Sequence, residues 1–203
     1  MTTSPRGRPT APWTASTSDS ATGVRDEAGR DPMASAGVVD SQSVKGADTV
    51  GADSRGYDAE RSTSRKRRIV VDTLGLLVVV LVTAASAADR DGGARVLGRA
   101  KMAMPSLALI FADGGYAGRL VAFARRLLRI VVQVVRKPEG QRGFAVLPRR
   151  PVVERTLSWL TAHRRLARDY ERLPEHSEAW VKWAMIGLMT RRLAPAPGRK
   201  PWQ

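Results

Sequence analysis

The chain has 203 residues, which is long enough for one domain with a hydrophobic core, and it carries a formal net charge of +15. It contains no cysteine and two histidines, which excludes disulfides, thiolate metal sites, thiol nucleophiles and a site rich in imidazole. Residues 1–64 carry a net charge of −2 and the remainder carries +17. The surplus favours a polyanionic partner, nucleic acid first and an anionic membrane second, although a genomic bias toward arginine codons would also produce it.

The N-terminal residues 1–35 are predicted to be disordered. They are rich in Ser, Thr, Pro, Gly, Ala and Asp and show no apolar periodicity. They also lack the basic and apolar regions of a signal peptide, so the sequence does not support export. The next segment, GVVDSQSVK at residues 37–45, is predicted to be a strand, with Asp40 at the end of its apolar run. A polar loop that contains glycine follows it.

The segment RKRRIVVDTLGLLVVVLVTAASAADRDGG allows two interpretations. Residues 73–88 are uncharged and mostly apolar and follow a basic cluster, as in a membrane span with positive flanks. The run is shorter than the roughly 20 residues that a span needs, and Asp72 precedes it directly. Valine and isoleucine are frequent on both sides of the turn-like DTLG, which favours a buried hairpin. The hairpin is our prediction, and the membrane helix remains the alternative.

Strands and helices alternate along the following residues. A short helix is predicted at residues 94–104, and SLALIFADGGYAG is predicted to be a buried strand that ends at Asp113. GRLVAFARRLLRI has the pattern of an amphipathic helix, with an apolar face formed by Leu120, Ala124, Leu127 and Leu128. IVVQVVRKPEG is predicted to be a strand closed by Pro138.

Two helices are predicted in the last third of the chain. LPRRPVVERTLSWLTAHRRLARDYERL is predicted to be one long helix that begins at Pro151. SEAWVKWAMIGLMTRRLAP is predicted to begin at a Ser177 cap and to stop before Pro195. The order of the elements predicts an α/β domain with a mixed sheet flanked by helices.

Three carboxylates occupy positions that suit a metal site. Asp40 and Asp113 each follow an apolar strand, and Glu154 lies in the predicted opening turn of a helix, beside its apolar stripe of Val153, Leu157 and Leu160. Carboxylates that converge repel one another unless a cation lies between them, and carboxylate oxygens favour Mg²⁺ or Mn²⁺. The pattern therefore suits two-metal phosphoryl transfer. Taken singly, each acid is better explained by a structural role, in a turn or cap for Asp40, an Asx turn for Asp113 and a first helical turn for Glu154.

Eight short segments carry a resemblance to a known family. In chain order they read VVDSQSVK, RGYDA, RKRRIVVDTLGLL, DRDG, ADGGYAG, LPRRPVVERTLSWL, RRLARDYERLPEHSEAW and AMIGLMTRRLA. They are similar to the catalytic domain of bacterial DDE transposases of the insertion-sequence-five type, over roughly residues 36–194. The resemblance implies an RNase H-like fold in which two Asp and one Glu bind two Mg²⁺ ions to nick DNA and transfer strands.

The resemblance also implies roles for individual residues. The catalytic and metal-binding acids fall on Asp40, Asp113 and Glu154, with spacings of 73 and 41 residues. The implied DNA contacts are Lys45, Arg65, Lys66, Arg67, Arg68, Tyr116, Arg149, Arg150 and Arg155. The implied partners are double-stranded DNA, with the terminal inverted repeats of an insertion element, and a second copy of the chain. The implied location is the cytoplasm, in association with the nucleoid.

The chain also departs from the family pattern. Members usually carry a helix-turn-helix region upstream, which residues 1–35 do not resemble, and Pro151 and Arg68 replace a usual Trp and His. We therefore expect a catalytic domain at 36–194, a flexible tail at 195–203, and transposition impaired by N-terminal truncation. The alternatives are a non-catalytic basic DNA-binding remnant and a small membrane-associated protein.

Overall fold

The computed structural model describes residues 17–57, 63–87, 89–135 and 150–194. Five helices and six strands are assigned in these ranges. In chain order they are α1 (Thr17–Glu27), β1 (Ala36–Lys45), β2 (Gly56–Tyr57), β3 (Thr63–Asp72), β4 (Leu77–Ala84), α2 (Asp89–Ala103), β5 (Leu109–Ala112), α3 (Arg119–Phe123), β6 (Val131–Val134), α4 (Arg150–Ala162) and α5 (Pro174–Leu193).

All six strands belong to one mixed sheet. Its order is β2-β3-β1-β5-β6, and β4 also pairs with β3. β1 is antiparallel to β3 and parallel to β5, and β5 is parallel to β6. The sheet confirms the predicted mixed α/β architecture and is consistent with the RNase H-like fold that the resemblance implies.

A hydrophobic cluster covers each face of the sheet. Successive residues of a strand point to opposite faces, so Val38 belongs to the cluster with α1, α4 and α5, whereas Val39 belongs to the cluster with α2 and α3. We call these the α4 face and the α2 face. β1 and β3 are covered on both sides, which is why their apolar runs are nearly continuous.

The predicted hairpin is confirmed as β3 and β4, joined by the turn after Asp72. One carboxylate oxygen of Asp72 accepts hydrogen bonds from the backbone N–H groups of Leu74 (2.9 Å) and Leu76 (2.8 Å), and Gly75 has a φ of +82°. The acid inside the apolar run therefore organises a tight turn. In the described ranges no helix is both long enough and apolar enough to cross a membrane.

The prediction of disorder is wrong for residues 17–35. Residues Thr17–Glu27 form α1, which packs against α5 and β4 through Ala21 and Val24. Arg25 of this helix forms a buried ion pair with Asp72 and donates from Nε to the Asp31 carbonyl oxygen at 2.6 Å. The segment lacks the apolar periodicity of a helix, which is why disorder was predicted, and tertiary contacts stabilise the helix instead. Residues 1–16 and the predicted tail at 195–203 lie outside the described residues.

The predicted helix in residues 118–130 is shorter and less regular than expected. α3 ends at Phe123, and a π-helical turn follows at Ala124–Leu128. The wider turn rotates the predicted apolar face, so Ala124 is buried whereas Leu127 is 72% exposed. The strand after it is confirmed as β6, and Pro138 lies outside the described residues.

The last two helices differ from the prediction at their ends. α4 ends at Ala162 instead of running to Leu173, and the residues after it form turns. α5 begins at Pro174, whose fixed φ suits a first helical turn, so Ser177 is a buried residue inside the helix and not its cap. The end of α5 at Leu193 agrees with the predicted stop before Pro195.

Two glycines of the DRDGG segment let α2 approach its neighbours closely. A Cβ on Gly92 would overlap the guanidinium of Arg68, and a Cβ on Gly93 would lie 2.7 Å from Cδ2 of Leu120. Arg68 is buried there and donates to Thr83 Oγ1 at 2.7 Å and to the Ala87 carbonyl oxygen at 2.8 Å. Gly92 thus provides the space for the buried Arg68, and Gly93 provides the space for Leu120.

Candidate functional site

The two aspartates follow paired positions of adjacent strands. β1 and β5 pair in parallel with Val38 opposite Phe111, an offset of 73 residues. Asp40 and Asp113 are separated by the same 73 residues. The β1–β5 pairing ends at Val38 and Phe111, so each aspartate lies two residues beyond the last pair, and Asp113 lies just after β5. A register continued by two residues would place them side by side.

Side-chain alternation indicates the face to which each aspartate points. Val38 is part of the hydrophobic cluster on that face and Phe111 packs against it. Because side chains alternate along a strand, the residues two positions farther on point the same way. Asp40 therefore points to the face that α4 covers, and the same alternation continued past the end of β5 would direct Asp113 to that face.

Asp40 lies within β1, which confirms the strand predicted for residues 37–45, at the point where its apolar run ends. Its residue surface is 8% exposed, and Oδ1 accepts a hydrogen bond from the backbone N–H of Ser41 at 2.7 Å. A buried carboxylate is costly without compensating groups, so a side chain at this position requires polar surroundings. The cross-strand neighbour of Asp40 is Ile69 of β3. Arg67 lies two residues from Ile69 along β3, so it points to the same face as Asp40.

Arg67 provides a buried positive charge on this face. Its Nη1 and Nη2 lie 3.5 and 3.4 Å from the carbonyl oxygen of Leu166. Burial lowers the pKa of Arg67 to about 10, and the nearby Asp169 partly opposes this by raising it. The guanidinium therefore stays protonated at neutral pH and provides a fixed cation on this face.

Asp113 is the first residue after β5. Its Oδ1 accepts a hydrogen bond from the backbone N–H of Gly115 at 2.9 Å, and a single 3₁₀ turn follows at Gly114–Tyr116. This is the Asx turn that the sequence allowed as an alternative role for the residue. The turn also orients the carboxylate at the strand end, so the structural role and a ligand role are compatible.

Glu154 is placed less favourably than predicted. α4 begins at Arg150, so Glu154 is its fifth residue and lies beyond the first turn. The predicted stripe of Val153, Leu157 and Leu160 is confirmed as buried, and Glu154 beside it is exposed. Among the described residues there is no group of three or more His, Cys, Asp or Glu side chains that could hold a metal ion. The oxygen donors suit Mg²⁺ or Mn²⁺, but the structure does not bring Glu154 to the aspartate pair.

The predicted DNA contacts divide into exposed and buried residues. Lys45 and Arg155 are exposed, and Lys66 is half-buried. Arg149 lies outside the described residues, and Arg150 is the first residue of α4. The buried members are Arg65, Arg67, Arg68 and Tyr116.

The buried arginines bind other parts of the chain instead of facing solvent. Arg65 donates to the carbonyl oxygens of Glu171 (2.8 Å) and Arg172 (2.7 Å), and Nη1 lies 3.4 Å from Asp169 Oδ2. The basic cluster occupies β3, which is covered on both faces, so its side chains are directed into the interior. The expectation that Arg65, Arg67 and Arg68 contact DNA is therefore not met in this structure.

Exposed arginines that the sequence did not single out follow Asp113 in the chain. They are Arg119, Arg125, Arg126 and Arg129, on α3 and the π-helical turn. In the described ranges none of them is paired with a carboxylate, which leaves their charge open to an external anion. The signal that could have identified them is the density of arginine in this short helix.

Comparison with known families places most of the chain in one of them. A family model described as a transposase DDE domain matches residues 31–189. The match begins shortly before β1, ends within α5 and includes all three candidate acids. No curated protein matches the chain.

Proposed function

Because the chain belongs to the transposase DDE domain family, we propose that it cleaves DNA and transfers strands at a site formed by Asp40, Asp113 and Glu154. The observation that supports this site best is that Asp40 and Asp113 each follow the last β1–β5 pair, Val38 and Phe111, by two residues. A register continued by two residues would place the two carboxylates side by side, where they could bind the same cation.

The proposed cofactor is Mg²⁺ or Mn²⁺. When bound, such an ion would act as a Lewis acid on the phosphodiester and make the attacking oxygen more nucleophilic. Asp40 would hold it from a rigid position inside β1, and Asp113 from the Asx turn after β5.

Glu154 is assigned as the third ligand. It lies on α4, the helix that covers the face with the aspartates. Three carboxylates repel one another without a cation between them, which favours a separated Glu154 in the metal-free chain. We expect Glu154 to join the pair when metal and DNA bind.

The proposed substrate is double-stranded DNA, with the terminal inverted repeats of an insertion element as its specific sites. Lys45, Arg155 and the four exposed arginines of α3 and its π-helical turn are assigned to phosphate contacts. Counterion release from these contacts would make binding strongly dependent on salt. Two copies of the chain would act together, one at each end of the element.

A nicking assay tests the catalytic proposal. Purified wild-type protein is incubated with terminal-repeat DNA and Mg²⁺, and its products are compared with those of Asp113→Asn and Glu154→Gln. We expect cleavage by the wild type, loss of cleavage in both variants, and retained DNA binding. Metal-independent cleavage, or unchanged cleavage by Asp113→Asn, would contradict the assignment.

A second candidate is a DNA-binding protein without catalysis. The observation that favours it is that the described residues contain no cluster of three metal-binding side chains. The same assay separates the two functions, because this candidate predicts that wild-type protein binds DNA and does not cleave it with any divalent metal.

A further inference from the structure

Two tryptophans are exposed on α5. Trp183 is 68% exposed and Trp180 is 43% exposed, and residues three apart lie on the same side of a helix. The opposite side of α5 carries Val181, Met185 and Met189, which are buried in the α4-face cluster. Large apolar side chains exposed next to each other mark interaction sites in soluble domains. Core packing therefore explains one side of α5 and leaves the tryptophan side for another role.

Neighbouring residues hold this surface in a defined arrangement. The guanidinium of Arg165 lies 5.2 Å from the ring centre of Trp180 and 5.3 Å from that of Tyr170, so it stacks on both. Arg165 is also paired with Glu171. Tyr170 is 40% exposed, so a row of flat groups reaches solvent. Its rings are positioned before any partner binds, which lowers the entropic cost of binding.

The two tryptophans also line two adjacent clefts. One has a volume of about 270 Å³ and is bordered by His163, Arg164 and Arg191, and the other has a volume of about 510 Å³ and includes His176. Concave sites with aromatic walls accept flat ligands. In the described ranges Arg164 and Arg191 form no ion pair with a carboxylate, so the rim of the first cleft is positively charged.

The charge of this rim identifies the kind of partner. A second copy of the chain docked on this surface would bring the same cationic rim against it, and like charges at an interface oppose association. A nucleic acid strand would bring phosphates to the arginines and flat bases to the rings. In a duplex the bases are stacked on one another, so only an unpaired strand can offer their faces.

We propose that Tyr170, Trp180, Trp183, Arg164 and Arg191, together with the stacked Arg165, form a binding site for single-stranded DNA. Bases stack on Trp183 and Trp180, and phosphates lie against Arg164 and Arg191. The proposal rests on the proposed function, because cleavage and strand transfer are the steps that produce an unpaired strand. The site is separate from the aspartates, which lie on β1 and after β5.

Fluorescence anisotropy with a labelled oligodeoxythymidylate and with a labelled duplex of equal length tests this site. The variants are Trp183→Ala, Trp180→Ala/Trp183→Ala and the conservative Trp183→Phe. Met102→Ala is the matched control, since Met102 is an 84% exposed apolar residue on α2. We expect Trp183→Ala to weaken binding of the single strand by about 5- to 100-fold, which corresponds to one lost stacking contact. Trp183→Phe should restore most of it, and Met102→Ala should bind like the wild type.

The duplex provides the internal comparison, because its affinity should change less than twofold in every tryptophan variant. Equal binding of the single strand by wild type and by Trp180→Ala/Trp183→Ala would overturn the proposal. Sedimentation provides a second test. A dimeric wild type and a monomeric double variant, with unchanged single-strand binding, would also overturn the proposal, because they would assign the surface to a second copy. If the wild type cleaves duplex DNA and the tryptophan substitutions do not change single-strand binding, the single-strand site is excluded and the proposed catalysis stands. If single-strand binding depends on Trp183 but no cleavage occurs, the proposed catalysis fails alone.

Discussion

Arg25 in α1 and Asp72 at the β3–β4 turn form a buried ion pair that joins two segments 47 residues apart in the sequence. The pair connects the N-terminal helix to the turn that organises the hairpin. Asp72 continues to accept the hydrogen bonds of Leu74 and Leu76 while it binds Arg25. The helix in residues predicted to be disordered is thus attached to the best-defined turn of the sheet.

Replacement of Asp72 by Asn should destabilise the protein strongly. Asparagine retains an oxygen for the turn but leaves the buried Arg25 charge without a counter-ion, which costs about 3 to 5 kcal/mol. Urea unfolding measures the loss, and Asp26→Asn, on the exposed side of α1, should change the free energy of unfolding by less than about 0.5 kcal/mol. Equal stability of Asp72→Asn and the wild type would show that the pair does not contribute.

Two glycines of α2 should respond to alanine in opposite directions. Gly92→Ala places a Cβ against the buried Arg68 guanidinium and should cost about 1 to 3 kcal/mol. Gly98 has no atom within 4 Å of such a Cβ, so Gly98→Ala should stabilise the protein by about 0.4 to 1 kcal/mol through helix propensity. Thermal unfolding of the two variants checks this, and a shift of the same sign in both would contradict the close approach of α2 to β3.

The buried arginines of β3 should differ in their contribution to stability. Arg65 makes several hydrogen bonds to the 169–172 segment, so Arg65→Met should cost about 3 to 5 kcal/mol. Arg67 makes long hydrogen bonds to Leu166, and in the described structure its Nε has no hydrogen-bond partner. Arg67→Met should therefore cost less than Arg65→Met, as measured by urea unfolding near pH 8. A larger loss in Arg67→Met would contradict this reading.

The lowered pKa of Arg67 also predicts a pH dependence. Burial lowers the folded pKa of Arg67 to about 10, below the ordinary value of an arginine, so just above pH 10 the unfolded chain binds more protons at this residue. The contribution of Arg67 to the free energy of unfolding therefore increases as pH rises through 10. The stability of the wild type relative to Arg67→Met should increase from pH 9 to pH 11, whereas a constant difference would show that burial does not lower the pKa of Arg67.

The arginines after Asp113 should matter for duplex binding. Arg125→Ala/Arg126→Ala removes two exposed charges from the α2 face and should weaken binding of any duplex sequence. The slope of log affinity against log salt should fall by about 1 for each lost phosphate contact. Arg30→Ala, an exposed arginine after α1 that is not among the proposed phosphate contacts, is the matched control and should leave the slope unchanged. An unchanged slope in the double variant would exclude these residues from the DNA surface.

The sequence predicted those elements whose signals are local. The apolar strands and the DTLG turn carry their own patterns, so β1, the β3–β4 hairpin and β5 could be identified. Helix α1 could not, because its stability depends on the Arg25–Asp72 pair and on packing against α5. The start of α5 was misplaced because Ser177 is a good cap, whereas Pro174, three residues earlier, is an equally good first residue.

The candidate site was predicted in part for the same reason. The three acids could be selected from their residue types and neighbours, but the meaning of a 73-residue spacing depends on the pairing of β1 with β5. The burial of Arg65, Arg67 and Arg68 depends on the strands and helices that cover β3. A basic run in a sequence carries no information on such coverage, and the DNA contacts assigned to these residues came from the family resemblance.

We propose that Asp40 and Asp113 bind one divalent cation together. Titration of the metal-free protein with Mn²⁺, followed by electron paramagnetic resonance of the free ion, measures this without DNA or activity. Asp53→Asn, an exposed acid in the 3₁₀ turn Ala52–Ser54, is the control. We expect Asp40→Asn and Asp113→Asn each to weaken Mn²⁺ binding by at least about tenfold, and Asp53→Asn to bind Mn²⁺ like the wild type. Wild-type affinity in either aspartate variant would contradict a shared site.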